Sequence, residues 1–207
     1  MGFDPQRHRR RSIRMRGYDY AQAGAYFVTI CTQRRACLFG EIADGTIHLN
    51  DAGQMVQAVW DALPDQYAGV DTDAFVVMPN HVHGIVVLVG GGGQPRRVAP
   101  TTAGVGAGPR ACPGPRACPG PHGCPDPARL ALPDVVHRFK SYTTAQYRHG
   151  VTECAWQPFL GRLWQRNYYE HVIRHEAELD RIRQYIDANP IHWHLDRENL
   201  AFQGRCT

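Results

Sequence analysis

Two histidines one residue apart, His81 and His83, stand in Asn80-His81-Val82-His83-Gly84 between the apolar runs Phe75 to Met78 and Ile85 to Val89. Side chains alternate across a strand, so both imidazoles point to one face. Two ring nitrogens aimed at one point are half of a metal site, and a third ligand and a reactive group must come from elsewhere in the chain. The plainer reading of an isolated His-x-His is a pair of surface histidines at a strand start. Pro79 and Asn80 are turn formers, which places the pair at the opening of the second strand of a hairpin, where a ligand can reach it.

Candidates for the missing groups lie on the helix expected over 175–189. Tyr185 and Asn189 are four residues apart and share one helix face, beside the core stripe of Leu179, Ile182 and Ile186. A helix packed on the histidine-bearing sheet would bring both toward the same metal. Asn189 offers a carbonyl oxygen, a hard ligand suited to Mg2+ or Mn2+, and Tyr185 a nucleophilic hydroxyl. The bland alternative for Tyr185 is a half-buried helix tyrosine with its hydroxyl in water.

The elements that must hold these groups are legible in outline. Gly24 to Thr32 is aromatic and β-branched, the composition of a core strand. Leu38 to Asn50 reads as a small hairpin turned at Asp44-Gly45. Asp51 is expected to cap a helix carrying Met55, Val56, Val59, Trp60 and Leu63 at helical spacing, with Pro64 ending it. Asp71 to Val89 is the two-stranded unit with the histidines. Pro133 to His149 reads as a helix, and part of Trp156 to Ile173 as a strand followed by a turn. Glu176 and Glu178 open the last helix, and Pro190 closes it.

At 207 residues the chain has room for one core. The expected organisation is a basic arm over 1–17, one domain over 18–195 and a tail over 196–207. The domain is interrupted at about 90–130 by a Gly-, Pro- and Cys-rich insertion with Gly-Pro-Arg-Ala-Cys-Pro repeated, a composition that cannot bury enough apolar surface to order itself. Its Cys and His spacing is too wide for the usual structural zinc site. Seven cysteines, an odd number with no Cys-x-x-Cys, argue for reduced thiols, and no apolar run approaches the roughly 20 residues of a membrane helix. The expectation is a soluble, cytoplasmic protein.

The basic residues include a single lysine, Lys140, the others being arginine. A G+C-rich genome gives that bias without functional meaning, so position matters more than number. Arg9, Arg10 and Arg11 fall in an arm able to lie along a phosphate backbone.

Beyond these local readings the chain resembles the HUH-type single-tyrosine transposases, in particular the REP-associated tyrosine transposases of bacteria. The resemblance rests on Met78-Pro79-Asn80-His81-Val82-His83-Gly84-Ile85, on Phe139-Lys140-Ser141, on Leu163 through His171, and on Arg181 through Pro190. It implies an α+β, ferredoxin-like fold, a central antiparallel sheet with helices packed on it. It also implies cleavage of single-stranded DNA near a hairpin, with His81, His83 and Asn189 holding a divalent metal, Mg2+ or Mn2+, and Tyr185 as nucleophile. Glu178 shares that helix face. The Pro, Gly and Cys insertion departs from the family pattern. For a nucleic-acid substrate, Lys140, Arg166, Tyr168, Tyr169 and the N-terminal arm are the expected contacts, the arginines on phosphates and the tyrosines on unpaired bases. The protein would act as a monomer or homodimer. Two other readings compete: an inactive hairpin-binding module descended from such an enzyme, and a histidine-triad nucleotide hydrolase, which needs a third histidine where this chain has Ile85.

Overall fold

The computed structural model describes residues 17–89 and 130–199. The N-terminal arginines Arg9, Arg10 and Arg11 and the repeat-bearing insertion lie outside the described residues.

Strand β1 (Gly24–Cys31) alternates as its sequence demands: Tyr26, Val28 and Ile30 are fully buried on one face, while Phe27, Thr29 and Cys31 line the other. It leads to a small hairpin, β2 (Gly40–Ala43) and β3 (Thr46–Leu49), turned at Asp44 and Gly45, both with positive φ. Helix α1 (Asp51–Asp61) follows. Its cap is Asn50 rather than the expected Asp51: the Asn50 side chain accepts from the Gly53 N–H at 2.9 Å while its amide donates to Leu38 O. Nor does Pro64 simply stop this helix. Proline is compatible with a first helical turn, and here it opens a second short helix, α2 (Leu63–Gln66).

Strands β4 (Val70–Met78) and β5 (His81–Leu88) form the histidine hairpin, joined by Pro79 and Asn80. That turn is pinned, because Thr32 N–H donates to Asn80 O and the Leu38 and Phe39 N–H groups both donate to Pro79 O. After the insertion come α3 (Leu132–Glu153), β6 (Tyr169–Ile173) and α4 (Glu176–Ala188).

The sheet runs β4-β5-β1-β6, antiparallel throughout. With the small hairpin set aside, the chain order β1-α1-β4-β5-α3-β6 and this strand order are those of a ferredoxin-like α+β domain. Helices α1 and α3 cover one face, over a core containing Tyr26, Val28, Trp60, Val82, Val86 and Phe139. Helix α4 covers the other face through a smaller cluster of Phe27, Ile85 and Ile186, with Leu179 and Ile182 beside it. A bidentate ion pair from Arg183 to Asp73 of β4, with nitrogen–oxygen distances of 2.9 and 2.7 Å, fixes α4 across the sheet.

The glycine of the histidine motif has a packing reason. Gly84 faces the larger core, where Trp60 and Phe75 stack with centroids 4.3 Å apart and planes at 9°. A Cβ there would lie 2.5 Å from Trp60 Cζ2 and 2.7 Å from Phe75 Cδ2. Both rings are held by their neighbours, so Gly84→Ala is expected to destabilise the fold by about 1–3 kcal/mol through overpacking. Urea denaturation followed by tryptophan fluorescence checks it, and an unchanged midpoint would contradict it.

Candidate metal and nucleophile site

The register assembles the site. Val76, His83, Thr29 and Tyr169 occupy matching positions on the four strands and form one row on the α4 face, with His81 paired to Cys31 in the next row toward the turn. His81 is fully buried and His83 is 3% exposed. Their Nε2 atoms face each other at 3.0 Å. His81 Nδ1 lies 2.8 Å from Asn80 Oδ1, and His83 Nδ1 lies 2.8 Å from Thr29 Oγ1.

Helix α4 then delivers the groups expected of it. The Tyr185 hydroxyl is 3.4 Å from His83 Nε2, its ring edge-on to Phe27 and 5.3 Å from the His83 ring. Asn189, the C-cap of α4, is 4% exposed, and its Oδ1 is buried without a hydrogen-bond partner. Two imidazole nitrogens, and an orphaned carbonyl oxygen on the helix that covers them, are donor types a divalent cation takes, so the residues present fit the metal the resemblance implies.

Sequence reasoning missed Asp196. Just past a 3-10 turn at Trp193–Leu195, its Oδ2 stands 3.7 Å from His81 Nε2, completing a His81, His83, Asp196 cluster that is the one potential metal-holding group among the described residues. The neighbouring Glu198 takes an ion pair from Arg35 Nε at 2.6 Å, and its backbone carbonyl accepts from the Asn80 amide. No periodicity announces such a segment, because an irregular chain folds back on backbone contacts that composition does not encode. Phe27, Thr29, His83, Tyr169, Tyr185 and Asp196 are among the walls of a pocket of about 600 Å³.

Electrostatics favour neutral histidines and a protonated phenol. Burial pushes His81 well below its ordinary value, with the neighbouring His83 and then Arg35 adding to it, and burial alone pulls His83 down to about 3. Burial and then the Asp196 charge push Tyr185 up, opposed by the Asn189 side chain. Asp196 is itself raised by burial. A depressed histidine binds protons more weakly folded than unfolded, so its contribution to stability is full above about pH 6.5 and is lost as pH falls toward 3. The metal-free protein should therefore keep both imidazoles neutral at pH 5 while losing stability from pH 7 downward. Histidine ring NMR shifts and melting temperatures taken across that range test this, and a His81 or His83 ring titrating near pH 6.5 would contradict it.

Other sequence candidates fall elsewhere. Glu178 does not reach the histidine pair. Its Oε2 accepts from Arg174 N–H and its Oε1 meets His171 Nε2 at 2.8 Å, contacts that hold its carboxyl down to about 2, the backbone contact first. Tyr169 joins the pocket beside Tyr185. Lys140 and Arg166 do not; they line a separate cleft of about 530 Å³ together with His137, Arg148 and Arg162. Lys140 Nζ donates to the carbonyls of Gln165, Arg166 and Asn167 and lies 5.1 Å from the centre of the Tyr168 ring, so it also shapes the loop before β6. Ile85, which stands where a histidine triad would need its third histidine, is fully buried in the cluster with Phe27 and Ile186. Of the described cysteines, Cys31 and Cys154 take part in no disulfide. No helix among the described residues is long and apolar enough to cross a membrane.

Fold and site together define a ferredoxin-like α+β protein in which His83, one of a histidine pair on the sheet, and a tyrosine on the covering helix meet at one pocket. The chain belongs to one family with an uncharacterized protein of Haemophilus influenzae, to which it is 34% identical over 190 residues, covering 92% of this chain and 93% of that one. No protein-family model matches it. Among solved structures it is similar to a REP-associated tyrosine transposase bound to a REP hairpin, at 19% identity and a TM-score of 0.48, over 89% of this chain and 76% of the other. It is also similar to a protein of Deinococcus radiodurans described as a candidate transposase, at 17% identity and a TM-score of 0.40, over 84% of this chain and 95% of the other.

Proposed function

We propose that the protein is an HUH-type tyrosine transposase of the REP-associated kind, an enzyme of the bacterial cytoplasm that cleaves and rejoins single-stranded hairpin DNA. The observation that carries this reading is the approach of the Tyr185 hydroxyl to within 3.4 Å of His83 Nε2, in a pocket also lined by Asn189 with its orphaned Oδ1. A nucleophile poised against a metal-ligand set is the arrangement phosphodiester transesterification requires.

His81, His83 and Asn189 would hold Mg2+ or Mn2+, with Asp196 as a further anionic oxygen donor. When bound, such an ion supplies charge stabilisation to the scissile phosphate and favours the phenolate. Tyr185 Oη attacks phosphorus and the bond from phosphorus to the 3′-oxygen breaks, leaving a 5′-phosphotyrosine and a free 3′-hydroxyl. The proton given up by the phenol balances the one gained by the departing oxygen. The covalent link conserves the phosphodiester bond, so a second 3′-hydroxyl can reverse the step without ATP.

Tyr169, exposed in the same pocket, would stack on an unpaired base, and the cleft with Lys140, Arg148, Arg162 and Arg166 would take phosphates of the same DNA. Tyr168 packs against Lys140 and serves this grip from behind, while Arg9, Arg10 and Arg11 would extend it along the backbone. The test is incubation with hairpin DNA and Mn2+, followed by analysis of the ends. The reading predicts 3′ ends that a polymerase extends and 5′ ends that stay blocked to a 5′-phosphate-dependent exonuclease even after proteolysis, because a tyrosyl peptide remains on the phosphate. Free 5′-phosphates would overturn it.

A further inference from the structure

The two histidines have unlike partners on their outer nitrogens. Asn80 is fully buried, and its amide nitrogen faces two carbonyl oxygens, Arg35 O at 3.2 Å and Glu198 O at 2.7 Å. Both are acceptors, so the NH2 group must lie there, and Asn80 Oδ1 is left to accept from His81. The neutral His81 ring therefore carries its proton on Nδ1 and presents a lone pair at Nε2. Thr29 is different. Its hydroxyl, 2.8 Å from His83 Nδ1, both donates and accepts.

Facing a fixed lone pair on His81 Nε2 at 3.0 Å, His83 Nε2 must carry a proton when no cation lies between them; otherwise two lone pairs would oppose each other. Thr29 then donates to His83 Nδ1. Metal ligation requires the opposite arrangement, with the lone pair on Nε2 and the proton on Nδ1.

We propose that Thr29 is the positioning residue for His83, a hydroxyl rotor that stabilises its Nε2–H form without metal and its Nδ1–H form with metal, while Asn80 holds His81 permanently ready. The proton lost from Nε2 is replaced by one gained at Nδ1, so the ring stays neutral in both states, and only the hydroxyl turns. A β-strand threonine directly across the β1–β5 pairing from His83 is placed for this by register alone. The inference rests on the reading of the histidines as metal ligands and extends it to the residue that makes one of them switchable.

Thr29→Val removes the hydroxyl while preserving shape and strand preference, and Thr29→Ser restores a hydroxyl. Mn2+ affinity of the purified proteins, measured by electron paramagnetic resonance, should fall about 10- to 100-fold in the valine variant and return to within a few-fold of wild type in the serine variant. Imidazole 15N shifts should show the wild-type His83 changing tautomer on addition of Mg2+. Equal Mn2+ affinity in Thr29→Val, or a His83 tautomer unaltered by Mg2+ in a wild type that binds it, overturns the role given to Thr29 and leaves the metal site standing. A folded wild type that binds neither ion overturns the metal site itself and this role with it.

Discussion

Tyr185→Phe is expected to abolish covalent attachment to DNA, a loss on the order of 10⁴-fold or more in cleavage rate, while hairpin binding persists. The substitution removes one oxygen and little else. The ring's packing against Phe27, at 5.9 Å and 83°, does not use the hydroxyl, so α4 should keep its seat on the sheet. The size of the effect follows from the chemistry, because the tyrosine is the atom donor to the intermediate and no electrostatic group can stand in for a missing nucleophile. Tyr169 is the nearest rival, since it lines the same pocket and is 48% exposed. Its side chain belongs to β6, however, while the Tyr185 hydroxyl is the one in reach of His83 Nε2. Peptide mapping of the adduct decides between them: attachment at Tyr169, or an undiminished adduct in Tyr185→Phe, would contradict the assignment.

His83→Ala is expected to reduce Mn2+ affinity by at least about 100-fold and cleavage with it. Wild-type protein at a Mn2+ concentration 100 times its dissociation constant should gain about 2.7 kcal/mol of stability, seen as a raised melting temperature, and the variant should gain almost none. Loss of the His83 ring also removes its stack on Phe27, 5.5 Å away, so some destabilisation without metal is expected as well. The metal-dependent difference between the two melting curves separates these effects. A variant that gains as much as wild type would show that the ion, if bound, is bound elsewhere.

The parts of this architecture that obey a period were legible in the sequence. Alternation placed His81 and His83 on one face of β5, and the 3.6-residue repeat set Tyr185 and Asn189 beside Ile186, whose burial against Phe27 and Ile85 turns that helix face to the sheet. The Asp44-Gly45 turn was equally readable from its need for positive φ. What escaped depends on tertiary folding. Asp196 arrives through an irregular segment anchored by backbone contacts, including Glu198 O to the Asn80 amide. Thr29 acquires its role only from the β1–β5 register, which pairs it with His83. Asn50 and Asp51 are both good capping residues, and the choice was made by Asn50 also having Leu38 O to satisfy. Glu178 lay on a suggestive helix face, but an acid in a first helical turn finds local donors first, here Arg174 N–H and His171.

A metal-dependent phosphotyrosine link between Tyr185 and DNA is the chemistry proposed for this pocket. The most direct measurement is incubation of the full chain with end-labelled single-stranded hairpin DNA from the flanks of its own gene, with and without Mn2+ or Mg2+, resolved on a denaturing protein gel. A labelled band at the protein's mass plus that of the DNA fragment, present only with metal, is the predicted result. Hairpin DNA that is bound by the metal-loaded protein yet never becomes covalently attached would contradict it, and would leave a module that holds hairpins without cutting them.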